Sequence, residues 1–370
     1  MTHDEAFLQA ILEDPEADTP RLVYADWLEE RGDPRSEFIR VQCELARIGG
    51  GDPRSAELGY RQQQLLSAHR AEWLGPLRGV TTLYDPTFRR GFLEEMTLDA
   101  RTFLELGERL FALHPLRHVS ITDAGQGAYS DPEGHRRHVS TLAASPLLAR
   151  LTSMGLPFIG DPGIEVLAAS PHLARLTSLD LARGQLGPAR ALAASPYLRH
   201  LTRLNLVANR IGPEGAEALA GSPFLAHLTD LNLDGISSRH GDVENNISDR
   251  GAEALAASPY LTRLAKLTLY LNGISDAGVR ALAASSSLAN LVELKLHGNY
   301  LITDAGVKAL AASPHLARLQ TLWLGGVGAP GARALAASPA LAGLWDLNVS
   351  ISSTDEEARQ VLRARFGNCV

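Results

Sequence analysis

An α/β solenoid is the architecture this 370-residue sequence predicts: parallel strands on a concave face, short helices on a convex face, and an all-helical segment ahead of them. Two observations carry that expectation. The phrase Leu-Ala-Ala-Ser-Pro begins at Leu142, Leu167, Leu192, Leu255, Leu310 and Leu335, with close variants at Leu219 and Leu282. Successive starts lie 25, 25, 27, 36, 27, 28 and 25 residues apart, which is the signature of a repeat array. Behind the phrases comes a second pattern, Leu-x-x-Leu-x-Leu-x-x-Asn-x-Ile. It is best formed at Leu201, Leu204, Leu206, Asn209 and Ile211, and again at Leu264, Leu267, Leu269, Asn272 and Ile274. A third copy runs through Leu291, Leu294, Leu296, Asn299 and Leu301.

Each repeat can be justified element by element. Leu-x-Leu alternates with the period of two of a half-buried strand. A turn with Gly or Asp follows, then a helical run such as Gly215-Ala-Glu-Ala-Leu-Ala. Ser-Pro closes the helix, because the residue before proline avoids the helical region. One such unit cannot bury its own apolar face, so the units are stable only as a stack. Asn209, Asn272 and Asn299 stand where the chain leaves the strand, and their amides suit backbone groups left unpaired there.

The 36-residue spacing has a local origin. Leu228, Leu231 and Leu233 form an ordinary strand pattern, but the matching asparagine arrives only at Asn245. Residues 234–244 are therefore expected to loop out at the strand's exit edge. A functional loop and a neutral surface insertion both fit. Gly184 stands in for the asparagine of its unit, and the units of Leu156, Leu186 and Leu324 are short, predicting shortened turns or helices.

These residues resemble the leucine-rich-repeat family, over roughly residues 142–349. The Ile-Gly-x-x-Gly-Ala-x-Ala-Leu-Ala helix is most similar to its ribonuclease-inhibitor-like subclass. The resemblance implies a right-handed leucine-rich-repeat solenoid. Leu93-Met96-Leu98 and Leu116-Val119-Ile121 carry the same spacing and read as degenerate first repeats. The expected organisation is a helical domain over 1–75, degenerate repeats over 76–140, and the array with a C-terminal cap over 141–370.

The first segment has another character. Ala6–Leu12 reads as a short helix, Thr19-Pro20 as a helix start with Thr at the cap, and Leu22, Val23, Trp27 and Leu28 as its apolar spacing. Gly32-Asp33-Pro34 stops it. Phe38, Ile39, Leu45 and Ile48 suggest a third helix, Leu58–Leu66 a fourth, and Gly49 to Pro53 a flexible link between them. The run from Arg21 to Arg35 with Glu37-Phe-Ile-Arg resembles the repeat-companion domain, a module that planctomycete bacteria place ahead of repeat proteins. Arg89-Arg-Gly-Phe-Leu-Glu-Glu95 looks like the junction such proteins use. The resemblance implies a bacterial origin and a module that travels with repeats and has no established activity. From Met1 to Arg47 there are 12 acidic residues against 5 arginines, which accounts for the whole net charge of -7. A cap that shields the first repeat and an acidic surface that docks a basic partner are the two readings.

Composition excludes several classes. A net charge of -7 argues against a general nucleic-acid binder. Cys43 and Cys369 form no disulfide framework and fit a reducing compartment. The N-terminus lacks a basic start with an apolar run, and no stretch is apolar enough to span a membrane. The expected location is cytoplasmic. No phosphate-binding loop and no nucleophile elbow is present. His114, His118, His135 and His138 cluster in the sequence, but the first pair straddles Pro115 and the second sits in a polar, Gly-rich connection with Arg136 and Arg137, so no metal and no cofactor is expected.

The remaining candidate is the outward face of the strands. Its residues include Asp180, Asn205, Asn232, Asp234, Thr268, Tyr270, Lys295, His297 and Trp323. Tyr and Trp on a rigid surface are the residue types of binding hot spots. Asn209, Asn245, Asn272 and Asn299 are assigned structural roles. The chain is thus expected to be no enzyme but an interaction module or scaffold gripping an unknown protein or peptide partner, with no nucleic acid or membrane involved. The alternative is a regulator of a partner enzyme, of the kind that activates small GTPases.

Overall fold

The computed structural model describes residues 2–48, 51–77, 80, 86–122, 132–237, 245–350 and 355–367. Cys369, Gly49 and Gly50 of the expected link, and residues 238–244 of the expected insertion lie outside the described residues. The chain forms two compact units: residues 1–122 with 150–152, and residues 123–149 with 153–370.

Unit 1 opens with four helices, α1 (His3–Glu13), α2 (Asp18–Glu29), α3 (Arg35–Ile48) and α4 (Ser55–Trp73). They are followed by β1 (Thr87–Arg89), β2 (Phe92–Leu98), α5 (Ala100–Leu113) and β3 (His118–Ile121). Thr2 caps α1 through a reciprocal pair of bonds with Glu5, which satisfies two end groups the helix would otherwise leave bare. The start of α2 differs from the expectation. It begins at Asp18 after an extended Ala17 with no side-chain cap. Thr19 and Pro20 lie within its first turn, where proline's missing N–H removes no helical bond.

The buried face of α2 also differs. Leu22 and Val23 are exposed, at 36% and 47%, and the buried residues are Arg21, Tyr24, Ala25 and Leu28. The reason is the reach of Arg21. Its Nη2 donates to Glu94 Oε1 and to the Pro15 carbonyl, each at 2.7 Å. Its Nη1 donates to the carbonyls of Arg89 (3.1 Å) and Arg90 (3.0 Å). These four bonds match the terminal nitrogens of a buried guanidinium, whose Nε is left without a partner, and matching of this kind is what makes its burial tolerable. Apolar spacing alone therefore misplaced the face by one residue.

The Arg89-Arg-Gly-Phe stretch is the turn of the β1–β2 hairpin, and the helices grip it. Gln42 donates to the Phe88 carbonyl at 2.9 Å and accepts from the Gly91 N–H at 2.7 Å. Arg35 bonds the Gly91 carbonyl and lies 4.5 Å from the Phe92 ring centroid. Gly91 has φ +88°, and a Cβ there would drive into Ile39, so glycine is required twice over. Phe92 completes a core with Leu8, Ile11, Tyr24, Leu28, Ile39 and Cys43. Phe38 stacks on Trp73 at 4.6 Å, and α4 accordingly runs well past the expected 58–66. β2 and β3 pair in parallel with α5 between them.

Unit 2 repeats helix and strand. Its first half is α6 (Pro132–Ala143), β4 (Ser153–Gly155), α7 (Gly160–Ala168), β5 (Ser178–Asp180), α8 (Arg190–Ala194), β6 (Arg203–Asn205) and α9 (Gly212–Ala220). Then come β7 (Asp230–Asn232), α10 (Ser248–Ala256), β8 (Lys266–Thr268), α11 (Asp276–Ala284), β9 (Glu293–Lys295) and α12 (Asp304–Ala311). It ends with β10 (Thr321–Leu324), α13 (Ala329–Ala337), β11 (Asp346–Val349) and α14 (Glu356–Phe366). All pairs from β4 to β11 are parallel and in one register, so that Leu179, Leu204, Leu231, Leu267, Leu294, Leu322 and Leu347 form a single buried row. Shortening falls on the helix in the Leu186 unit, where α8 has 5 residues, and α7 and α13 keep 9.

Three polar ladders tie the repeats together. Asn209, Asn245, Asn272 and Asn299 are fully or almost fully buried. Asn299 shows the pattern: Nδ2 donates to the Leu269 and Leu296 carbonyls at 2.8 and 2.7 Å, and Oδ1 accepts from the N–H groups of Asn272 and Ile274. Asn245 keeps the role despite its distance in sequence, donating to Leu206 and Leu233. At Gly184 the ladder lacks a rung, because a Cβ there would lie 2.7 Å from the Leu181 carbonyl.

The second ladder was not foreseen. From Ser170 onward the serine that closes each repeat helix, followed by proline except at Ser285, donates its hydroxyl to an alanine carbonyl one repeat earlier. Ser195 reaches Ala168, Ser222 reaches Ala193 and Ser258 reaches Ala220, all at 2.6 Å. Ser285 and Ser313 repeat this at 2.5 Å. Each bond satisfies a carbonyl at a helix end.

The third ladder sits at the helix starts. Asp276 accepts from the Thr303 and Gly306 N–H groups of the next repeat, and Asp249 does so from Ser275 and Gly278. At the C-terminal end of the stack, Arg365 of α14 donates to the carbonyls of Leu335, Ala336, Ser338 and Leu341.

Candidate functional site

Because strand side chains alternate, residues on both sides of the buried leucine row share the outward face. That face carries three rows across β5–β11. The first is Ser178, Arg203, Asp230, Lys266, Glu293, Thr321 and Asp346, in direct register. Its charges alternate from Arg203 to Glu293, and Lys266 lies 4.0 Å from Asp230 and 3.6 Å from Glu293. Opposite charges placed across strands stabilise a sheet. The sequence reading passed over this row, although Arg203 and Asn205 straddle the inward Leu204 and so had to share a face.

The second row holds Asp180, Asn205, Asn232, Thr268, Lys295 and Trp323. Its first three members use a side-chain oxygen locally. Asp180 accepts from the Ala182 N–H at 2.9 Å, Asn205 from Val207 at 3.1 Å and Asn232 from Asp234 at 2.9 Å. Thr268 is buried, with its hydroxyl beside the Asp234 carboxylate. Lys295 is ion-paired with Glu293 at 2.6 Å and holds Nζ 4.2 Å from the Trp323 ring centroid.

The third row brings Asp234, Tyr270 and His297 together. Asp234 Oδ1 accepts from the Tyr270 N–H at 2.7 Å, and burial pushes its carboxyl above the usual range. Tyr270 and His297 stack at 4.4 Å, and His297 meets Trp323 edge-on at 5.2 Å. Burial, and then the Lys295 charge, lower the imidazole's affinity for a proton, and its Nδ1 is buried without a partner. Trp323 also donates to Asp346 at 3.3 Å. Three successive repeats thus contribute one connected cluster: Tyr270, then His297 with Lys295, then Trp323.

Tyr270 and Trp323 are half-buried by this mutual packing rather than freely exposed. The exposed aromatic rings of unit 2 include two that the sequence reading did not single out, Tyr300 at 86% and Trp345 at 66%. The strip divides accordingly. Its β5–β7 end is polar with committed side chains, and its β8–β10 end is aromatic and cationic.

The histidines do not assemble. His135 Nε2 lies 2.7 Å from the Ile159 carbonyl, and His114 is buried in unit 1. Among the described residues no group of three His, Cys, Asp or Glu side chains could hold a metal ion. No helix among them is long and apolar enough to cross a membrane.

Comparison with known proteins agrees with the repeat reading. The leucine-rich-repeat family pattern matches residues 197–220, 243–256 and 287–311. No curated protein matches the sequence. Among solved structures, a chain in the crystal structure of the yeast Rad7 and Elc1 complex is similar to this one at 15% identity and a TM-score of 0.45, covering 92% of this chain and 87% of that one. The chain is built as a leucine-rich-repeat solenoid with an N-terminal helical region.

Proposed function

We propose that this chain is a protein-interaction module whose strand face holds a protein or peptide partner at Tyr270, Lys295, His297 and Trp323. The observation that carries the reading is the connected aromatic–cation cluster. Its rings are held by stacking and edge contacts on hydrogen-bonded strands. Side chains fixed before association lose little freedom on binding, and aromatic anchors beside a cation are the residue types that dominate interface energies. Asp180, Asn205 and Asn232, whose oxygens are locally committed, form the polar rim in this account. The leucine-rich repeats support a binding role rather than catalysis.

In unit 1 we infer a capping role for the helical segment. Its acidic residues are largely engaged: Asp26 and Glu29 with Arg40, Glu37 with Arg61, and Glu44 with Arg47 and Arg54. A surface so paired offers less to a basic partner than the net charge of the segment suggests.

The test is affinity capture from native lysate with three baits: the full chain, the Tyr270→Ala/Trp323→Ala variant, and a helix-face control, Glu253→Ala. A partner retained by the full chain and the control but lost by the double variant is the expected result. Equal capture by all three excludes this face.

A further inference from the structure

A pocket of about 420 Å³ opens at the exit edge of β4, β5 and β6, away from the strip just described. It is lined by Phe158, Arg183, Gln185, Ala208, Arg210 and Ile236, together with the ladder residue Asn209. That volume lies in the range of small-ligand sites. Phe158, Ala208 and Ile236 give it an apolar wall. Arg183 and Arg210 are exposed, and neither guanidinium has a hydrogen-bond or ion-pair partner among the described residues. No carboxylate is among the described residues of the lining.

The backbone sets where these side chains stand. Phe158, Arg183, Gln185 and Ala208 have φ values of +61°, +56°, +57° and +54°. Turns at the same edge further along mix glycine, Gly273 at +67°, Gly298 at +75° and Gly326 at +65°, with Asn246 at +53° and Leu271 at +51°. Side chains other than glycine are disfavoured in the left-handed region. Three neighbouring repeats nevertheless keep side chains there, and those side chains line the pocket. The same turn conformation recurs outside the pocket at Asn246 and Leu271, so it belongs to the repeat, and its role here is to set Phe158, Arg183 and Gln185 side by side at one edge.

We propose that this pocket binds a small apolar carboxylate. The hydrocarbon part packs against Phe158, Ala208 and Ile236, and the carboxylate is held by Arg183 and Arg210 through charge-assisted hydrogen bonds, with the Gln185 amide as a further donor. A free organic acid and the carboxyl-terminal residue of a peptide present the same chemistry. No lining residue belongs to the aromatic cluster on the strand face, so the two sites stand or fall separately.

The experiment is calorimetric titration of the full chain with 3-phenylpropionate, 3-phenylpropanol, and acetyl-Gly-Gly-Phe as free acid and as amide. Saturable one-to-one binding of an acid is expected, with its uncharged counterpart about tenfold weaker or more. Arg210→Ala and Arg183→Gly are each expected to weaken acid binding by about tenfold. Arg183→Gly should keep or raise the melting temperature, since glycine relieves the left-handed turn, so that its lost affinity is not unfolding. Binding of the peptide acid assigns the site to chain termini, and binding of 3-phenylpropionate alone assigns it to free acids. Failure of both acids to bind, equal binding of the uncharged counterparts, or unchanged affinity in both variants overturns the proposal.

Discussion

Truncating Asn272 to Ala orphans the buried Ile247 N–H and takes one of two donors from each of the Leu233 and Tyr270 carbonyls, which keep Asn245 Nδ2 and the Gly235 N–H. Buried groups orphaned in this way are costly, and we expect a loss of about 2–4 kcal/mol in urea unfolding. A change below about 0.5 kcal/mol would show that the ladder is ornamental. The asparagines were legible in the sequence because their spacing from the leucines is fixed. The serine ladder was not, because Ser-Pro already had a sufficient local reason as a helix stop. His114 is a second residue-scale case. It is buried, neither ring nitrogen has a hydrogen-bond partner, and burial followed by the nearby Arg35 charge drives its pKa down to about 3. The folded value lies below the unfolded value of about 6.5. Its contribution is therefore complete above pH 6.5 and is lost as the pH falls toward 3, by at most about 1.4 kcal/mol per pH unit. Urea midpoints from pH 7 to pH 4 should fall more steeply for the native chain than for His114→Leu. Parallel curves would mean that His114 protonates freely in the folded state.

Among the elements, the β1–β2 hairpin and the helices around it depend most on one side chain. Arg21→Met leaves Glu94 buried without its cation and frees the carbonyls of Pro15, Arg89 and Arg90, and should destabilise unit 1 by about 3–5 kcal/mol. Glu94→Gln keeps the three carbonyl bonds and should cost less. Hydrogen exchange at the Gly91 and Phe92 amides measures both, and a larger effect for Glu94→Gln would show that the ion pair, not the carbonyl set, holds the hairpin. In the repeats, Ser222→Ala and Ser285→Ala should each cost about 1 kcal/mol and add, since their partners are separate. Helix and strand positions were readable from periodicity. The face of α2 was not, since a buried arginine next to exposed Leu22 and Val23 reverses what apolar spacing indicates.

At the scale of the repeat unit as a whole, parallel register turns residues far apart in sequence into neighbours. Tyr270, His297 and Trp323 are 27 and 26 residues apart, yet their rings are in contact. The sequence identified those three because they are aromatic or titratable at outward positions. It missed the charge row Arg203, Asp230, Lys266 and Glu293, whose members look ordinary one at a time and become a ladder only when the strands align. The binding role itself rests on this face. The most direct test places a photo-crosslinking p-benzoylphenylalanine at Asn348, the exposed register neighbour of Trp323, and, in a second chain, at exposed Glu253 on the helix face. Irradiation in native lysate should give a defined adduct from position 348 that Tyr270→Ala/Trp323→Ala abolishes, and none from position 253. An adduct from position 253 alone, or one from position 348 that survives the double substitution, contradicts the account.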